Sequence, residues 1–287
     1  MGRGLDHIVH AVRDLEAAGD FYRRLGFTVG ARNQHPWGTH NRLVQFPNFF
    51  LEILTVAEPE KIVPSTTRTF SFGGFNRDFL AEVGEGLSCM VLEGHDPATE
   101  KRALDAAGFG GYELLEFSRR GKRADGSDTE VGFRIALARD PASKHAAFFT
   151  CLQTHPENFW SPELQRHPNG ACAIAAAVLV AENPTDHHIF LEALTGVRAP
   201  HASSLGLTFS TPRGAVQVFD PRGFRDVFGV EAPRDQGLRL AALVFQAADR
   251  AKTRELLGAN GIAARDHGGR LVVGPRAARG AVLAFSY

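Results

Sequence analysis

Gly4-Leu5-Asp6-His7-Ile8-Val9 opens a run that reaches Asp14, crosses an amphipathic stretch and closes at Leu25-Gly26-Phe27. Eighty-two positions on, Gly86-Leu87-Ser88-Cys89-Met90-Val91 leads to Asp96 and then to Ala107-Gly108-Phe109. A third pass runs from Arg239-Leu240-Ala241-Ala242-Leu243-Val244 to Asp249 and Asn260-Gly261-Ile262. Internal similarity of this kind means one supersecondary unit used several times. The position held by His7 becomes Cys89 and then Ala242. Chemistry is therefore expected in the first copy.

Leu5 to Val12 reads as a strand. Asp14 can cap the following helix, because a carboxylate there accepts from free backbone N–H groups. Leu15, Ala18, Phe21, Tyr22 and Leu25 recur at spacings of three and four, one helical face. Gly26 ends that helix. Phe27–Arg32, Arg42–Phe46 and Phe49–Val56 then read as three strands, with turn signals at Pro36, Gly38, Pro47 and Asn48. The unit is β-α-β-β-β. The second copy repeats it with strands at Leu87–Glu93, Tyr112–Arg119, Val131–Ala138 and Ala146–Gln153, a helix opened by Asp96-Pro97, and a charged hairpin tip at Lys122–Asp128. Between the two copies, Ala57–Glu85 is too long for a tight loop, is rich in Phe, and predicts a helix from about Asn76.

After Gln153 the pattern breaks into a stretch rich in Pro, His and aromatics, the expected boundary. Ala171–Val180 is then a strongly apolar strand, and Asn183-Pro184 opens a helix that Gly196 ends. Short strands at Leu205–Phe209 and Ala215–Phe219 complete a compressed third unit. The fourth has strands at Leu240–Gln246, Ile262–Asp266, Arg270–Val273 and Ala281–Ser286, with a helix from Asp249 to Asn260. The expected domains are 1–160 and 171–287, with 161–170 as linker.

The 287 residues carry 32 basic and 32 acidic side chains. Zero net charge gives no support for nucleic acid or a membrane surface as partner. Cys89, Cys151 and Cys172 make no disulfide framework, and strand-like sequence begins by Leu5, so a cytoplasmic chain without a signal peptide is expected. The 22 Phe against 3 Tyr and 2 Trp exceed ordinary core needs, and some are expected to line an apolar pocket for a small molecule.

Four β-α-β-β-β units in two pairs resemble the vicinal oxygen chelate superfamily, which includes glyoxalase I, extradiol dioxygenases and fosfomycin-resistance proteins. Leu5-Asp6-His7-Ile8-Val9, Leu25-Gly26-Phe27 and Phe50-Leu51-Glu52-Ile53-Leu54 are similar to its metal-bearing module. His35-Pro36-Trp37-Gly38-Thr39-His40-Asn41, Phe148-Phe149 and His167-Pro168 are similar to its glyoxalase-like subgroup. The resemblance is strong over residues 4–170 and rests on topology beyond. It implies an α+β fold of paired modules, each pair a cupped mixed sheet with helices outside. It also implies a divalent metal (Zn, Ni, Fe or Mn) in the cup, bound to vicinal oxygens of a small substrate, with lyase, isomerase or dioxygenase chemistry.

Carried over residue by residue, the resemblance puts His7 and Glu52 at metal positions, with Glu52 or a metal-bound water as the natural base. Strand alternation agrees: if Leu51 and Ile53 face the helix layer, Glu52 faces the cup. From the second module, Cys89 stands where His7 stands, and the counterpart of Glu52 falls near Cys151 or Thr150, with Gln153 on the face of Cys151. This leaves a site completed by thiolates, one with half its ligands, or one converted to metal-free binding or sequestration. Trp37, Thr39, Asn41, Phe72 and Phe75 are expected around the substrate, and His155 or His167 could close over it. His10 is expected on the opposite face, and His187-His188 on a solvated helix surface. In the second pair, position 7 maps to Ala176 or Ala177 and to Ala242, and the last-strand positions fall near Gln217 and Ala284. That half is expected to be a scaffold, a homodimer surface or a pocket wall.

Overall fold

The computed structural model describes residues 2–122 and 128–287. The hairpin tip expected between Lys122 and Asp128 therefore falls mostly outside the described residues. The first half runs β1 (Leu5–Ala11), α1 (Leu15–Arg24), β2 (Asn33–Gln34), β3 (Thr39–Phe46), β4 (Phe49–Val56), α2 (Phe72–Glu82), β5 (Gly86–Glu93), α3 (Pro97–Ala106), β6 (Leu115–Lys122), β7 (Asp128–Ala138) and β8 (Ala147–Gln153). These strands form one sheet in the order β2-β3-β4-β1-β5-β8-β7-β6. β1 is parallel to β4 and antiparallel to β5, and β5 is parallel to β8. Two modules thus join edge to edge through their first strands.

The second half repeats the plan with β9 (Ala171–Val180), α4 (His188–Thr195), β10 (His201–Ser203), β11 (Gly206–Ser210), β12 (Ala215–Phe219), α5 (Pro221–Phe228), β13 (Arg239–Ala247), α6 (Arg250–Ala259), β14 (Arg265–His267), β15 (Arg270–Val273) and β16 (Val282–Ser286). Its sheet order is β10-β11-β12-β9-β13-β16-β15-β14. The architecture is the glyoxalase/dioxygenase fold with four modules. Among the described residues no helix is long and apolar enough to cross a membrane.

Local chemistry explains the punctuation. Asp14, Asp96 and Asp249 each accept backbone N–H groups at the start of α1, α3 and α6, and a left-handed glycine follows each of these helices. Two expectations need correcting. Phe27–Arg32 forms no strand: Gly30 N–H makes one backbone bond, to Leu43 O, while Thr28 N–H donates to His167 Nδ1 and Gly30 O accepts from Arg42. The helix expected from Asn76 starts four residues earlier, at Phe72, because Ser71 caps it by accepting from Gly74 N–H.

The convex faces of both sheets share one apolar core with α1, α4 and α6. Phe27 and Phe46 of the first half meet Phe245 of the second, with ring centroids 5.0 and 5.5 Å apart. The connection over 154–170 is packed into the same junction: Asn169, fully buried, donates to Leu25 O, and its backbone carbonyl accepts from Thr253 Oγ1. His187 also belongs here. It is buried and pairs with Asp140 at 2.7 Å, so the solvated surface expected for it is wrong; its partner comes from the loop after β7 in the first half.

The two concave faces differ. In the second half, α5 lies in the cup. Phe224 and Phe228 are fully buried against Ala176, Val178, Ala242, Val244 and Ala284. Small side chains on the strands leave the space, and two phenylalanines at helical spacing fill it. In the first half the equivalent connector lays Phe70, Phe72 and Phe75 at the edge of the apolar face and leaves the middle open.

Candidate functional site

The cup and the solvent at its mouth together span about 680 Å³ of empty space. Strand alternation sets its floor. His7 pairs with Phe50 and Val9 with Glu52 across the parallel β1–β4 ladder, so His7 and Glu52 project to the same side. Leu51 and Ile53 go into the convex core. Phe50, Phe72, Phe117, Phe133, Phe149 and Phe159 build an apolar wall, and His7, His35, Trp37, Asn41, Glu52 and Arg119 supply the polar atoms.

The polar groups are tied together. The register of β1 against β5 slips between Leu5 and His7. Asp6, buried beside the slip, places Oδ1 2.5 Å from His7 Nδ1. The carboxylate fixes the proton on Nδ1, which leaves Nε2 as an acceptor without a hydrogen-bond partner among the described residues. The His7 ring stacks on Phe50 at 4.3 Å. On the other side, Asn41 Nδ2–H donates to Glu52 Oε1 at 2.5 Å. His35 Nε2 lies 3.9 Å from the same oxygen, and His35 Nδ1 is 2.9 Å from Thr39 Oγ1. Burial pushes the His35 pKa below its ordinary value, and the nearby Glu52 charge opposes that only in part. His40 turns away from the cup to Glu58, 2.9 Å distant.

The expected site residues separate into two groups. His7, Trp37, Asn41, Glu52, Phe72 and Cys151 line the cup. Thr39 stands behind it as the support for His35. Phe75 faces neighbouring clefts on the far side of the Phe70 segment. His155 is half-exposed next to Glu157. His167 does not close over the cup: it is buried between Phe27 and Phe46 on the convex side. Gln153 does not reach the cup; its Nε2–H donates to Asp6 Oδ2 at 3.2 Å, behind His7. Cys89 is sealed in an apolar cluster with Val9, Leu54 and Val91. His10 bonds Tyr22 and Arg279 O on the helix side.

Sequence reading left Asp6, His35 and Arg119 out of the set. For Arg119 the signal was the period of two in Leu115, Phe117 and Arg119, all three of which line the cup.

A family-type metal cage does not fit these residues. The ladder pairs Cys89 with Ala147 and Val91 with Phe149. With Cys89 matched to His7, the counterpart of Glu52 is Phe149 rather than Cys151 or Thr150. Burial pushes the thiols of Cys89 and Cys151 up, away from the thiolate form a metal needs. Among the described residues, no three His, Cys, Asp or Glu side chains converge to hold an ion.

The turn that carries His35 and Asn41 depends on Gly38. Its φ is +83°, and a Cβ there would sit 2.2 Å from Glu58 O. Gly38→Ala is expected to cost about 1–3 kcal/mol from the left-handed backbone alone, and to move the His35 ring. Urea denaturation and the His35 NMR resonances check this; an unchanged midpoint and spectrum would contradict it.

A family model described as a glyoxalase-like domain matches residues 5–195. No curated protein matches the sequence significantly. Among solved structures, a hypothetical protein from Staphylococcus aureus is 13% identical with a TM-score of 0.65, and the alignment covers 99% of both chains. A triple mutant of 4-hydroxymandelate synthase from Streptomyces coelicolor is 12% identical with a TM-score of 0.60, covering 99% of this chain and 92% of that one. A fusion of a xylose isomerase-like TIM barrel with 4-hydroxyphenylpyruvate dioxygenase is 14% identical with a TM-score of 0.59, covering 99% of this chain and 49% of that one. At such identities the likeness is one of fold.

Proposed function

Because the chain belongs to the glyoxalase-like domain family, we propose that its N-terminal cup takes a small molecule with an apolar body and a polar end, held by hydrogen bonds and packing instead of by a metal cage. One observation carries this reading. The cup is open and walled by phenylalanines, while the positions from which a second module would supply ligands hold Cys89 and Phe149. Pockets that are mostly apolar with a few convergent polar groups are the usual form of a small-molecule site. His7 Nε2 accepts from the ligand; Asn41 and His35 keep the Glu52 carboxylate facing it.

A second reading is a proton-transfer enzyme of the lyase or isomerase kind in the same cup. The Asp6–His7 pair favours it. A carboxylate that fixes the imidazole tautomer and stabilises its protonated form is a general-base arrangement, and Glu52 is a second base on the same floor.

The test uses protein purified without a histidine tag. N-phenyl-1-naphthylamine, a neutral apolar fluorophore, is expected to bind equally before and after EDTA treatment. Its affinity should fall at least tenfold in Leu115→Trp, which narrows the cup from an edge strand. Stoichiometric metal that His7→Ala removes, together with probe binding that needs this metal, would overturn the proposal.

A further inference from the structure

Among the described residues, two hydrogen-bond donors of the cup lack partners. Arg119 is half-buried in the wall, and no hydrogen bond or ion pair reaches its guanidinium among the described residues. Its neighbours behave differently: Arg120 pairs with Glu130 at 3.5 Å and Arg134 with Glu116 at 2.8 Å. The second donor is Trp37, whose buried Nε1–H finds no acceptor. Trp37 packs edge-on against Phe117 with ring centroids 4.7 Å apart, and Phe117 stands two residues before Arg119 on the same face of β6. The unpaired donors therefore flank one stretch of apolar wall.

A partly desolvated cation without a counter-charge is unfavourable. Burial lowers the Arg119 pKa and Glu52 raises it in return, but a guanidinium remains charged at any physiological pH. Glu52 acts on it only across the cup, with no contact within ion-pair distance.

Resting on the small-molecule reading above, we propose that the ligand is a monocarboxylate with an apolar body, and that Arg119 binds the carboxylate and sets this specificity. The planar guanidinium matches a carboxylate through two parallel N–H···O bonds. The Trp37 Nε1–H is the further donor for an oxygen at that end. Glu52 fixes the ligand's direction, because repulsion keeps the anionic end away from the carboxylate on the floor. The Glu52 charge acting in the same cup opposes a phosphate dianion more than a carboxylate monoanion.

Three probes of one shape test this on the full chain: 2-naphthoate, 2-naphthamide and 2-naphthyl phosphate, titrated at pH 7 with fluorescence or ligand-observed NMR. Naphthoate is expected to bind at least tenfold more tightly than the amide and more tightly than the phosphate ester. Arg119→Met keeps the apolar stem; it should abolish the preference for the acid, lowering naphthoate affinity at least tenfold and naphthamide affinity much less. Arg119→Lys should restore part of the preference. Equal affinity for acid and amide, or a preference that survives in Arg119→Met, would overturn this inference and leave the small-molecule reading intact. Tightest binding of the phosphate ester would overturn the carboxylate assignment. Failure of all three probes and of N-phenyl-1-naphthylamine would remove the underlying reading with it.

Discussion

Truncation of Phe245 to alanine is expected to destabilise the whole chain by about 3–5 kcal/mol, the usual cost of removing a buried aromatic side chain without refilling the space. Phe245 lies on β13 of the second sheet and is fully buried. Its ring meets Phe27 and Phe46 of the first half and Phe285 of its own, at 5.0, 5.5 and 5.9 Å. The cavity would open where the two halves join, with rigid strands on both sides that cannot collapse into it. Urea denaturation followed by far-UV circular dichroism measures the change. Val63→Ala serves as control, since Val63 is 73% exposed and should change stability little. A loss under about 1.5 kcal/mol in Phe245→Ala would show that the two halves do not depend on this junction.

Acidification from pH 7 to pH 4 is expected to cost several kcal/mol, with His35, also lowered by burial, adding in the same direction to two buried neutral histidines. Desolvation is the first cause for both, and it lowers His10 and His167 from 6.5 to about 4. Their hydrogen bonds show why the neutral form is required. His10 Nε2–H donates to Arg279 O, which leaves Nδ1 to accept from the Tyr22 hydroxyl. His167 Nε2–H donates to Gln45 O, and Nδ1 accepts from Thr28 N–H. A second proton on His167 Nδ1 would face a donor. The charged groups near His10 are Arg279 and Glu85, and their effects oppose each other.

A lowered folded-state pKa means that the unfolded chain binds more protons between the two values. The stabilisation is therefore complete above about 6.5 and is lost as pH falls towards 4, roughly 3 kcal/mol for each histidine at the full shift. Urea midpoints at pH 7, 5.5 and 4.5 test this. His167→Gln, which keeps a side-chain donor for Gln45 O, should flatten the slope by that one histidine's share. Stability that stays level from pH 7 to pH 5 would refute the assignment.

The strands and helix caps were legible because each depends on a few adjacent residues: an aspartate before an amphipathic run, a glycine after it, alternation along a strand. What failed depended on distant partners. Phe27–Arg32 has strand composition, but beyond one backbone bond from Gly30 to Leu43 its polar groups go to the His167 and Arg42 side chains. His187 looks like a surface residue until Asp140 arrives from the loop after β7 in the first half. The common face of His7 and Glu52 followed from alternation, since a period of two is fixed by the backbone. The counterpart of Glu52 did not follow, because spacing along the chain does not reveal that Phe149 pairs with Val91. α5 was missed although Asp220-Pro221 opens it, Phe224 and Phe228 share one face and Gly229 closes it. Its eight residues are too few for periodicity to stand out. Arg119 closed the strand Tyr112–Arg119 in the linear reading with no site role, and only the fold sets it beside the phenylalanines of the cup.

The occupied second cup shows that this architecture keeps binding space in its connectors. The strands bend the same way in both halves, and the segment between modules decides whether the hollow is vacant or solid. A duplicated gene could therefore gain or lose a ligand site by drift in the connector between its modules, with every strand left in place. In the second half a helix with two phenylalanines supplies the packing that a ligand would otherwise provide. One half can then serve as inherited foundation while selection explores chemistry in the other.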